Sequence, residues 1–62
     1  MPLQDFLLKN VKVTKRDGYL KFGTLMDVSD SFIELKFRDG RTEFINKSEI
    51  SQVILDKGDV DD

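Results

Sequence analysis

Asn46, Lys47 and Ser48 stand in succession, two short hydrogen-bonding side chains around a cation. A lysine attracts phosphate oxygens, and that attraction weakens as salt rises. Asparagine and serine can bond the edges of nucleobases. Phe32 adds an aromatic face on which a base can stack, as in single-strand binding. The same residue types have plain structural uses. Asn46 and Ser48 suit a tight turn, where their side chains bond nearby backbone, and Lys47 is then simply solvated. Phe32 has the wrong parity for its strand, and packing under the N-terminal helix or at a contact between copies is the favoured account of it. Tyr19, after an Asp-Gly pair, either stacks a base or caps the sheet.

Other chemistry is excluded by composition. The 62 residues include no His and no Cys. Disulfides, imidazole or thiolate metal sites and Ser-His or Cys-His nucleophiles are therefore impossible. Asp27, Asp30 and Asp39 can in principle hold a hard cation, but their turn positions explain them without one. The expectation is a protein without catalysis, metal or cofactor. No run of 18 apolar residues exists, so no membrane contact is expected. The opening Met-Pro-Leu-Gln-Asp lacks the basic and apolar regions of a signal peptide, and a cytoplasmic location is expected.

Charge is uneven along the chain. Residues 1–23 hold five basic and two acidic residues, whereas residues 24–62 hold five basic and ten acidic ones. Much of the acid lies in residues 56–62, which are almost devoid of apolar side chains and read as a disordered acidic tail. Residues 1–55 read as one small domain. Lys9, Lys12, Lys15 and Arg16 are either a basic patch or the solvated face of a strand. A domain of about 60 residues buries only about 60% of its unfolded surface. With 39% hydrophobic residues and no cross-link, association with further copies is a natural way to bury more.

The elements that must position these residues are mostly β. Met1 to Lys9 reads as a short helix, with Pro2 in its first turn and Leu3, Phe6 and Leu7 at helical spacing. Val11 and Val13 then alternate with Lys12 as a half-buried strand. Arg16-Asp17-Gly18 marks a hairpin turn. Residues 19–29 read as a long strand with Leu20, Phe22, Met26 and Val28 on one parity. Gly23 in its middle marks a bulge or bend. Phe32–Phe37 follow, with Ile33, Leu35 and Phe37 on one face. Arg38-Asp39-Gly40 is a second hairpin turn, Thr42–Ile45 a fourth strand, Asn46–Glu49 a tight turn and Ile50–Leu55 a fifth strand. The fold class is thus mostly β: a short N-terminal helix, then a five-stranded, strongly bent antiparallel sheet forming a small open barrel.

Three stretches resemble the Sm-like family of Sm, LSm and bacterial Hfq proteins. Pro2-Leu3-Gln4-Asp5 with Phe6-Leu7 is similar to the Hfq opening. Asp17-Gly18 followed by Gly23 and Leu25 is similar to the first Sm motif. Ile45-Asn46-Lys47-Ser48-Glu49-Ile50-Ser51-Gln52-Val53 is similar to the second, with Lys47, Ile50, Ser51 and Val53 at the Hfq spacing. The resemblance implies that Asn46, Lys47 and Ser48 face a central pore and meet single-stranded RNA. It also implies that Gln4 touches uridine, although Gln4 and Asp5 equally suit ordinary helix N-terminal chemistry. Given one inserted residue, Glu34 stands where the family has a base-binding Asn.

In that family the fourth strand of one copy pairs with the fifth of the next. Phe44, Ile45, Ile50, Val53 and Ile54 would line that contact. A head-to-tail contact must close into a ring or run on as a fibre, and the resemblance implies a ring of about five to seven copies. The function expected is non-catalytic binding of single-stranded, U- or A-rich RNA. The alternative is the same barrel as a structural or protein-interaction module without RNA, which Glu34 favours.

Overall fold

The computed structural model describes residues 3–56, and the expected acidic tail, residues 57–62, lies outside them, as do Met1 and Pro2. Five strands form one antiparallel sheet: β1 (Asn10–Lys15), β2 (Leu20–Val28), β3 (Phe32–Lys36), β4 (Thr42–Asn46) and β5 (Ile50–Leu55). Their order is β4-β3-β2-β1-β5. The sheet is curled but not closed, because β4 and β5 lie at opposite edges and no ladder joins them.

Two hairpins share one turn chemistry. In Arg16-Asp17-Gly18 and Arg38-Asp39-Gly40 the glycine takes a positive φ, 96° and 93°. The Asp Oδ1 accepts from the backbone N–H two residues on, at Tyr19 (3.1 Å) and Arg41 (3.0 Å). Gly18 N–H donates to the Lys15 carbonyl and Gly40 N–H to that of Phe37, both at 3.0 Å. A three-residue loop ending in a left-handed glycine holds its strands in one register. Here it sets Thr14 opposite Leu20 and Lys36 opposite Thr42.

The core lies on the concave face. Val11, Val13, Leu25, Ile33, Leu35 and Ile45 are buried, and Leu3, Phe6, Leu7, Val28, Phe37, Ile50 and Val53 pack against them. The parity read from the sequence for β2 is corrected here. A bulge between Leu25 and Asp27 leaves Met26 unmatched, so Leu25 faces Leu35 and Val28 faces Ile33 on the core side. Leu20, Phe22 and Met26 are exposed on the convex face. One extra residue shifts the alternation of everything after it.

The N-terminal helix is also corrected. It is a single 3₁₀ turn, Leu3–Phe6, closed by Leu7 N–H to the Gln4 carbonyl at 3.1 Å. The chain then has to join β2, and Leu8 N–H donates to the Leu25 carbonyl at 2.7 Å. Leu8 makes that bend with φ 65°, a left-handed conformation that costs a leucine about 1–2 kcal/mol. At the other end Asp56 is half-buried and its N–H donates to the Asn10 carbonyl at 2.9 Å, which continues the β1–β5 pairing by one residue.

The link between β4 and β5 forces the curl. Asn46 and Ile50 are joined by one 3₁₀ turn, Lys47–Glu49, which covers about 8 Å at 2 Å per residue. In a flat sheet of this order the two edges would stand about 19 Å apart, four strand spacings. The sheet therefore bends until its edges converge at this end. Lys47 N–H donates to the Ser31 carbonyl (2.7 Å) on the β3 side, and Arg16 N–H donates to the Glu49 carbonyl (2.9 Å) on the β1 side. At the other rim, Lys21 points inward and meets Glu43 at 3.3 Å. Lys21 and Arg41 also stand 5.9 and 6.0 Å from the Phe37 ring centroid.

Candidate nucleic-acid interface

Four of the five candidate binding residues gather where the sheet edges converge. Phe32 stands directly opposite Asn46 across the β3–β4 ladder. Lys47 and Ser48 follow in the 3₁₀ turn that Ser31 anchors. Gln4 stands apart. Its turn packs on β2, its side chain is exposed, and its hydrogen bonding is through its backbone carbonyl to Leu7.

Asn46 caps the turn with its own side chain. Its Oδ1 accepts from Ser48 N–H at 3.4 Å and from Ser48 Oγ at 3.2 Å. The turn role is therefore filled, and both residues remain exposed. With Oδ1 engaged, the amide nitrogen is the group Asn46 has left to offer a ligand, and it is a donor. Lys47 is half-buried, with no ion pair among the described residues. Glu49, two residues on, is taken by Lys15 at 3.7 Å. The Lys47 charge is thus uncompensated by any ion pair among the described residues.

Phe32 does not stand alone. Its ring meets that of Phe44 edge-to-face, with centroids 5.2 Å apart. Phe44 is 62% exposed, so the pair offers an open aromatic surface on the convex face beside Asn46. Sequence reading placed Phe44 only at an intermolecular contact. The signal for the pair was present, because counting back from the Arg38-Asp39-Gly40 turn puts Phe44 and Phe32 on one face. The nearest charge on that face is acidic. Glu34 lies opposite Phe44 on one side and opposite Asp27 on the other, and like charges directly across a ladder repel.

The remaining sequence candidates disperse. Lys15 is spent on Glu49, while Lys12 sits between Phe22 and Ile54 in the β2-β1-β5 row. Tyr19 is exposed on the first hairpin. Among the edge residues, Ile45 is 2% exposed and serves the protomer's own core. Val53 and Ile50 are half-buried against that core. Phe44 and Ile54 are exposed, one on each edge strand. No group of acidic residues arranged to hold a metal ion is found among the described residues. No helix among them is long and apolar enough to cross a membrane.

No family model, curated protein or solved structure matches the chain.

Proposed function

We propose that the chain is an Sm-like, Hfq-type protein: a non-catalytic cytoplasmic ring that binds single-stranded, U- or A-rich RNA at a central hole lined by Lys47. The observation that carries this reading is the position of β4 and β5 at the two free edges of the sheet, with Lys47 in the short turn between them. Free edges demand a partner strand. Pairing β4 of one copy with β5 of the next satisfies both edges by one repeated contact, and the curl of the sheet turns each copy relative to the last until the ring closes. The turns that join these edge strands then gather around the axis. Each brings an unpaired cation, the Asn46 amide donor and the Phe32–Phe44 aromatic surface.

Fluorescence anisotropy with labelled oligo-U and oligo-A at two salt concentrations tests this. Binding that weakens with salt, and weakens further in Lys47→Ala with a shallower salt slope, supports the reading. Absence of binding at low salt, or indifference to Lys47→Ala, refutes it. The second reading, a structural or interaction module without RNA, draws on the Asp27–Glu34 acid pair beside Phe44, which repels a phosphate backbone approaching that face.

A further inference from the structure

A groove of about 740 Å³ crosses the convex face at the far end of β3 from Phe32. Its floor is a row of three cross-strand neighbours, Asn10, Thr24 and Lys36. Thr24 Oγ1 donates to Asn10 Oδ1 at 2.8 Å, which fixes the middle of the floor. Phe22 and Met26 flank Thr24 along β2, and Phe37 and Leu8 also line the groove. Lys36 and Arg38 stand at the β3 end, both exposed and without ion pairs among the described residues, while the one carboxylate of the lining, Asp56, stands at the opposite end beside Asn10.

Two observations mark this groove as built for a ligand. Leu8 is 70% exposed, and its left-handed backbone holds it there. A bulky residue in that conformation, showing its side chain to water, is disfavoured twice, and such outliers cluster at functional positions. Independently, Phe22 is 50% exposed although it stands in the interior of a strand. Aliphatic Leu8 and adaptable Met26 suit the side chains of a peptide. A nucleic-acid strand would ask instead for a longer track of charge than Lys36 and Arg38 provide.

We infer that this groove docks a short acidic peptide segment of a partner protein, seating one or two large apolar side chains between Leu8, Phe22 and Met26 and its carboxylates on Lys36 and Arg38. The groove runs over β1, β2 and β3 and ends at Asp56, just past β5, and no residue of β4 lines it. The inference stands whether or not the ring forms.

The test uses a fluorescein-labelled hexapeptide carrying adjacent Leu and Phe followed by four Glu, with a Ser-Ser version as control. Saturable anisotropy is expected for the first and not for the second. Leu8→Gly and Arg38→Glu should each weaken it by about tenfold or more. Glycine accepts the left-handed backbone, so Leu8→Gly is expected to melt no lower than the wild type. Should it melt lower, Phe22→Ser serves in its place. No saturable peptide binding, or binding unchanged in these variants, overturns the inference. So does oligo-U binding that falls tenfold in the same variants while the peptide fails to bind, which would make the groove a nucleic-acid surface.

Discussion

A Cβ on Gly23 would stand 2.8 Å from the carbonyl oxygen of Lys36, closer than real Cβ contacts allow. The Phe37 ring and the Lys36 carbonyl carbon crowd the same point at 3.3 Å. Glycine is therefore what lets β2 press this closely against the end of β3, while the bulge of β2 lies further on, between Leu25 and Asp27, and not at Gly23 as its sequence position suggested. Gly23→Ala must push backbone, not a flexible side chain, and is expected to cost about 1–3 kcal/mol. Urea unfolding of the variant measures this, and an unchanged midpoint would show that the contact is slack.

Ahead of its bulge, β2 carries a sharp contrast between its two faces. Leu25 is fully buried and Phe22 half-exposed. Leu25→Ala should cost about 2–5 kcal/mol. For a chain of this length, where total stability is about 3–9 kcal/mol, that is enough to unfold much of the population. Phe22→Ser should cost little, within about 1 kcal/mol. Circular dichroism melts of the two variants check the register directly, because the parity read from the sequence predicts the opposite order.

Asp39 titrates low. Its carboxylate accepts from the Arg41 backbone N–H at 3.0 Å and from Arg41 Nε at 2.7 Å, and these bonds hold it below its ordinary value of 3.8. Because the folded value lies below the unfolded one, the favourable contribution is complete above the ordinary carboxylate range. It is lost as pH falls through the lowered value. An NMR titration of the Asp39 side-chain carbon should therefore give a midpoint below 3.8, moving up toward it in Arg41→Ala. A midpoint at the ordinary value in the wild type would mean that the turn bonds do not persist in solution.

Much of this architecture is written in local chemistry. The two Arg-Asp-Gly triplets fix two hairpins and their registers, and Ile50–Leu55 reads as the strand it forms. What escaped has physical causes. Nothing in the composition of Leu25-Met26-Asp27 marks a bulge, and the bulge is what puts Val28 on the core side together with Leu25. The segment before Asn10 has room for one turn only, because the chain must return to bond Leu25. Leu8 carries a left-handed φ without the Gly or Asn that would announce it. At the candidate interface, Asn46, Lys47 and Ser48 were legible from type and spacing. Phe44 was read as an edge contact alone, since its pairing with Phe32 depends on the β3–β4 ladder.

If β4 and β5 pair between copies, a charge planted on an edge should stop them. Ile54 is exposed on β5, one of the two edge strands. Ile54→Lys places a charge of the kind that natural edge strands use to avoid association. Such a variant should keep the fold and lose the assembly, which sedimentation velocity reads as a drop in the sedimentation coefficient. A coefficient unchanged from an assembled wild type would move the interface elsewhere.

The mass of the wild-type protein in solution, measured by size-exclusion chromatography with light scattering, is the most direct test. The account predicts one species at about five to seven times the 7.2 kDa chain mass, holding that mass across dilution. A single species at 7.2 kDa, with both sheet edges left open in a stable monomer, would contradict it.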